Sequence, residues 1–213
     1  MTRIKICGIM NRTELFAAMK SGADAVGFVV EIASSRHCLS AEEAGRLIRH
    51  VPLFHRSVAV IAPQDVDGAV SLAARTGADI LQVHGSLDAS DLAELKGRVI
   101  QKIVAALPAE TELDEARRFA CSADAILLDT FAGGVFGGTG EVHDWEKSAS
   151  LAAGLPVPVI LAGGLHPGNV VEAIRRVRPY AVDASSCLET EGRKDERKMA
   201  EFVREVGACP PHM

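Results

Sequence analysis

Short runs of hydrophobic residues alternate along this chain with longer stretches in which apolar positions recur every three or four residues. The runs read as strands buried on both faces, and the periodic stretches as amphipathic helices. The pattern predicts strands at Ile4–Cys7, Ala25–Val30, Ser57–Ile61, Asp79–Val83, Val99–Val104, Ala125–Leu128, Val157–Leu161 and Tyr180–Asp183. It predicts helices at Asn11–Ser21, Ala41–His50, Val66–Arg75, Ala89–Leu95, Glu112–Ala120, Trp145–Ala153, Pro167–Val177 and Asp195–Val206. Asn11 or Thr13 caps the first helix and Gly22 closes it. Ser40 with Glu43 three residues on is a capping box for the second. Three helix-to-strand joints are alike: Ser21-Gly22-Ala23-Asp24, Thr76-Gly77-Ala78-Asp79 and Cys121-Ser122-Ala123-Asp124. They hint at a repeated strand–helix unit, although small residues suit tight connections on their own.

Eight strand–helix units with short connections predict a parallel sheet. The expected fold is α/β, a single closed (β/α)8 barrel of the TIM type occupying residues 1–213 as one domain. An open doubly wound sheet is the alternative. It needs a topological switch point and usually has fewer strands.

Composition narrows the chemistry. The chain has 213 residues, 48% of them hydrophobic, with a formal charge of −5, so it carries no basic footprint for nucleic acid. One tryptophan and one tyrosine argue against a stacking platform. No apolar run is long enough to span a bilayer, and the N-terminus lacks a signal-peptide core. The five cysteines, Cys7, Cys38, Cys121, Cys187 and Cys209, are scattered and lack C-x-x-C spacing. They indicate neither a disulfide framework nor a metal site, and a cytoplasmic location fits them best.

In a barrel, the C-terminal ends of the strands and the loops after them form the active face. Those positions collect Cys7, Glu31 through Arg36, Gln82, His84, Asp129, Gly163, Gly164, Asp183, Ser185 and Ser186. A thiol and a carboxylate at the tips of different strands point to proton transfer. Cys7 sits just before a helix, which favours a thiolate, whereas inert packing is the usual fate of a buried cysteine. Asp129 as an acid needs a raised pKa; otherwise it caps its loop. Arg36 is placed to fork onto a carboxylate. For His84 a satisfied core role is the safer reading. Gly163-Gly164 and Ser185-Ser186, after adjacent strands, together read as a phosphate cradle, although either pair alone reads as a turn or a cap. The glycine-rich stretch 133–140, which includes Gly138, lacks the ending of a nucleotide-binding P-loop. Beside Asp129 it reads as a lid.

These motifs resemble, in order and over nearly the whole chain, those of the phosphoribosylanthranilate isomerase family. They are Lys5-Ile6-Cys7-Gly8-Ile9, Gly27-Phe28-Val29, Ser34-Ser35-Arg36, Gln82-Val83-His84-Gly85, Leu127-Leu128-Asp129-Thr130 and Gly137-Gly138-Thr139-Gly140 with Asp144-Trp145. Leu161-Ala162-Gly163-Gly164-Leu165, Val182-Asp183-Ala184-Ser185-Ser186 and Gly192-Arg193-Lys194-Asp195 complete the set. The resemblance implies a cofactor-independent Amadori rearrangement in tryptophan biosynthesis on a small phosphosugar substrate, by a monomer or homodimer. It implies Asp129 as general acid, Cys7 as general base, and Arg36 near the anthranilate carboxylate. Gln82, His84, Gly138, Gly163, Gly164, Asp183, Ser185 and Ser186 are expected around the substrate. Two rivals remain. One is the related imidazole-pathway isomerase, which resembles two half-barrels and carries an aspartate where Cys7 stands. The other is a non-catalytic phosphate-binding barrel, expected to lack Cys7 or Asp129. Where the family usually carries Ser-Pro-Arg, this chain has Ser34-Ser35-Arg36.

Overall fold

A computed structural model describes residues 1–132, 135–136 and 143–210. Eight parallel strands are each followed by a helix: β1 (Arg3–Ile6), α1 (Arg12–Ser21), β2 (Ala25–Val30), α2 (Ala41–Ile48), β3 (Arg56–Ile61), α3 (Val66–Thr76), β4 (Ile80–Val83) and α4 (Ala89–Arg98). The second half runs β5 (Lys102–Pro108), α5 (Leu113–Ser122), β6 (Ala125–Asp129), α6 (Trp145–Gly154), β7 (Val159–Leu161), α7 (Val170–Val177), β8 (Ala181–Ala184) and α8 (Glu196–Gly207). Each strand pairs with its neighbours in sequence, and β1 pairs with both β8 and β2, so the sheet closes. The closed barrel replaces the open-sheet alternative. Among the described residues no helix is long and apolar enough to cross a membrane.

Alternation along each strand sorts the side chains into two layers. Ile4, Ile6, Phe28, Ile61, Leu81, Ile103, Ile126 and Val182 point outward and form the main core with the helices. Small clusters fill the inside, with Val104, Ala106, Leu127 and Ala162 on one wall and Cys7, Val29, Val58 and Val60 on the other. Lys5, Gln82, Asp129 and Asp183 share the register of these inward positions.

The helix ends follow their sequence signals. Asn11 caps α1 by accepting from the Glu14 N–H, and Gly22 closes it at φ 100°. Ser40 and Glu43 form the reciprocal capping box. The fifth strand begins three residues later than the hydrophobic run predicts. The Val99 N–H still closes α4 onto the Leu95 carbonyl, and Ile100 is 99% exposed. The register then carries β5 out to Pro108, opposite Asp129. Likewise α7 starts at Val170, because Asn169 Oδ1 accepts from the His166 N–H at 2.8 Å and folds the Pro167–Gly168 stretch into a turn. A two-residue strand, Cys38–Leu39, adds to the edge of β2, and Glu189–Thr190 pairs with Arg193–Lys194 after β8; neither was predicted.

The three similar joints have a common physical cause. Asp24, Asp79 and Asp124 each accept the backbone N–H near the start of a neighbouring strand: Ile4 at 2.9 Å, Ser57 at 2.8 Å and Ile103 at 2.9 Å. The aspartate therefore satisfies a donor that the sheet leaves unpaired at its lower rim.

Candidate active site

β1 presents Lys5 and Cys7 on its inward face, two residues apart, and both are buried. The neighbouring position on β2 is Gly27. A Cβ there would lie 2.7 Å from Cys7 Sγ and 3.1 Å from Lys5 Cε, so the missing side chain makes the room that both groups occupy. The strand tip is tied to β8 twice. The Cys7 N–H donates to the Ala184 carbonyl at 2.9 Å, and Ser185 Oγ donates to the Cys7 carbonyl at 3.0 Å. Gly8, at φ 80°, then turns the chain away.

Lys5 Nζ lies 2.5 Å from Asp183 Oδ2, and neither side chain is more than 8% exposed. The other oxygen, Asp183 Oδ1, is buried and accepts no hydrogen bond from the described residues. Asp129 stands at the end of β6, where its Oδ1 accepts from the Thr130 N–H at 2.8 Å. Burial, reinforced by the charge of Asp183, pushes the Asp129 carboxyl up to about 6, against the opposing pull of Thr130 and Lys5. Burial also pushes the Cys7 thiol up, while Lys5 pulls it down and Asp183 adds to the rise. Gln82 and His84, inward on β4 and beyond it, meet at 2.8 Å. Burial next to Lys5 lowers His84 to about 4, so its ring is neutral at physiological pH.

The loops after β7 and β8 supply the rest. Gly163 and Gly164 have φ 82° and 63°. A Cβ on Gly163 would fall 2.2 Å from Thr130 Oγ1, so a glycine is needed both for the turn and for the close approach to β6. Asn169 Nδ2 pins the Gly164 carbonyl at 3.0 Å. Arg36, more than half exposed, is paired with the buried Glu189. Glu189 also lies 2.9 Å from His37 Nε2 and 2.5 Å from Lys194 Nζ. Burial alone would raise this carboxyl, but His37 and Lys194 hold it at about 2. Lys194 further donates to the Ser185 carbonyl at 3.2 Å within the loop after β8, while Glu189, through Arg36 and His37, joins that loop to the one after β2.

One cavity of about 410 Å³ gathers these groups at the C-terminal mouth of the barrel. Of the residues expected from the sequence, it is lined by Cys7, Arg36, Gln82, His84, Asp129, Gly163, Gly164, Asp183, Ser185 and Ser186. Gly138, and most of the glycine-rich stretch expected to form a lid, lie outside the described residues. Sequence reasoning assigned no role to Lys5, Gly27, Glu189 or Lys194. A signal for Lys5 was present: a charge two residues before the thiol on one strand shares its face.

Comparison with known proteins gives a consistent picture. A family model described as N-(5'-phosphoribosyl)anthranilate isomerase matches residues 4–205. The curated N-(5'-phosphoribosyl)anthranilate isomerase of Methanothrix thermoacetophila is 52% identical over 209 residues, covering 98% of this chain and all of the relative. That of Haloferax volcanii is 43% identical, covering 95% and 92%. Among solved structures, phosphoribosyl anthranilate isomerase from Thermotoga maritima superposes with a TM-score of 0.86 at 30% identity, covering 97% of this chain and 99% of that one. A phosphoribosyl anthranilate isomerase in complex with reduced 1-(o-carboxyphenylamino)-1-deoxyribulose 5-phosphate reaches 0.80 at 30% identity, with the same coverage. Match and geometry run together from β1 to α8, and the chain belongs to the N-(5'-phosphoribosyl)anthranilate isomerase family.

Proposed function

We propose that the chain converts N-(5'-phosphoribosyl)anthranilate to 1-(o-carboxyphenylamino)-1-deoxyribulose 5-phosphate in tryptophan biosynthesis, in the cytoplasm and without metal or organic cofactor. One observation carries the reading: a half-buried carboxyl pushed up to about 6 and a buried thiol stand at the tips of separate strands and line the same cavity. That is the pair an aldose-to-ketose shift requires.

Asp129 gives its proton to the ribose ring oxygen. The C1′–O bond breaks, and the nitrogen lone pair forms the C1′=N bond of a Schiff base. Cys7, as thiolate, removes the C2′ proton, and the electron pair flows to nitrogen to give an enolamine. Tautomerisation to the ketone completes the step. Asp183 Oδ1, buried with its lone pairs open, suits a sugar hydroxyl. The backbone of Gly163 and Gly164 and the turn at Ser185 and Ser186 cradle the phosphate. Glu189 engages one nitrogen of Arg36, which leaves donors of the fork for the anthranilate carboxylate. Gln82 and neutral His84 line the floor.

The test generates the substrate in place from anthranilate and phosphoribosyl pyrophosphate with their transferase and follows the loss of anthranilate-type fluorescence. The parent chain is expected to turn over rapidly. Cys7→Ser and Asp129→Asn should each abolish turnover while phosphate-ligand binding persists. Near-normal turnover by Cys7→Ser would remove the base assignment, and a parent no faster than the spontaneous background would remove the substrate.

A further inference from the structure

The buried ion pair under the cavity floor has no structural justification of its own. Moving a lysine and an aspartate out of water costs about as much as their attraction returns, and apolar residues usually do as well or better. Apart from Gln82 and Asp129, which line the cavity, the inward clusters elsewhere on the barrel wall are mostly valine, alanine and leucine. Yet Lys5 and Asp183 are both held inside, on adjacent paired strands and opposite each other in register.

Three geometric facts tie the pair to the thiol. Lys5 and Cys7 are i and i+2 on one strand, so they share a face and stack along it. The space that a side chain at position 27 would fill is taken by Cys7 Sγ and Lys5 Cε, which lie 2.7 and 3.1 Å from where its Cβ would stand. Asp183 fixes the ammonium at 2.5 Å, so the cation cannot swing away. The lysine stays charged: burial works against its charge, but Asp183 and Cys7 more than compensate, and its pKa is raised.

We propose that Lys5 is a positioning residue for the thiol, its fixed ammonium making Cys7 a usable proton acceptor inside an apolar barrel, with Asp183 setting how much of that charge the sulfur feels. The inference rests on the reading of Cys7 as the base. The charged and titratable groups facing the sulfur are few. Among the described residues they are Lys5 from β1, Asp183 from β8 and Lys194 behind Ser185, with Asp129, His84, His37, Arg36 and Cys187 lining the same cavity. β2 itself offers only Gly27 and Val29. Lys5 is the largest of the influences that favour the thiolate, ahead of Lys194.

The experiment reads the thiol directly. Iodoacetamide alkylation of the Cys7 peptide, resolved from the other four cysteines by mass spectrometry, is followed across pH in the full-length chain. In Lys5→Met, which keeps the length and removes the charge, the inflection should move up by about one pH unit or more. Alkylation below it should slow about tenfold, and kcat should fall with KM little changed. In Asp183→Asn the inflection should move down. A folded Lys5→Met protein with the parent's inflection overturns the proposal, even if its turnover is reduced, because a purely structural role would do that. If Lys5→Met fails to fold, Asp183→Asn decides alone, and an inflection that is unchanged or raised overturns the idea. Failure of the underlying reading looks different: Cys7→Ser would retain turnover while the two inflections still moved as stated.

Discussion

Asp124 and Asp129 stand at opposite ends of β6, five positions apart. At the lower rim, Asp124 accepts the Ile103 N–H and is flanked by Lys96 and Lys102 at 3.3 and 3.2 Å. Burial alone would raise its carboxyl, but these partners hold it below the ordinary aspartate range. At the upper rim, Asp129 has one backbone donor, deeper burial and an anionic neighbour in Asp183, and its carboxyl rises to about 6. The same residue type on the same strand is thus fully satisfied at one end and left frustrated at the other. The satisfied end holds the barrel together. The frustrated end keeps its proton to a higher pH than an ordinary aspartate does, and so can act as an acid.

The comparison breaks most sharply on turnover. Asp129→Asn should lower kcat by about 10²–10⁴-fold, and Asp124→Ala should leave it within about twofold in the folded protein. Equal losses in the fluorescence assay would mean that position along the strand does not divide chemistry from support. Glycines extend the contrast. Gly163→Ala should cost about 3 kcal/mol in denaturant unfolding, because the new methyl meets Thr130 and the backbone sits at φ 82°.

Next in size comes the pH dependence of Asp129. Its folded pKa lies above the unfolded value, so the stability it confers is complete below about pH 4 and is lost as pH rises through about 6. Asp129→Asn should therefore stabilise the chain by about 2 kcal/mol at pH 8 and by almost nothing at pH 4. A stabilisation that does not change with pH would contradict the raised carboxyl. For Asp124 the sign reverses. Its depressed pKa gives stability that is present at neutral pH and fades in acid, and Asp124→Ala should cost about 1–2 kcal/mol at pH 7. The smallest effect belongs to Gly77, whose Cβ would meet open space. Gly77→Ala should cost only about 1 kcal/mol, from its left-handed φ of 63°.

The lower rim and the barrel were legible because they are local. Alternating runs, caps and turn residues lie within a few positions of one another, and each determines its own element. The tips of the strands were also legible, since a parallel barrel places every such tip on one face, and Cys7, Asp129 and Asp183 were found that way. Partnerships between the first strands of the chain and its last were not. Lys5 reaches Asp183 across 178 positions and Arg36 reaches Glu189 across 153, and no periodicity encodes such pairs. Gly27 reads as one more small residue in an apolar run until β1 is placed beside it. The extension of β5 to Pro108 depended on the register with β6, which only the closed sheet supplies.

The absent side chain at Gly27 also limits how this chain can change. The sulfur at position 7 and the bare backbone at position 27 are two halves of one volume, written 20 residues apart. Position 27 cannot acquire even a methyl unless position 7 gives up its sulfur. A lineage exploring new chemistry in this barrel therefore meets a locked pair. It can rebuild the mouth freely, but a side chain at position 27 has to wait until the sulfur at position 7 has given way.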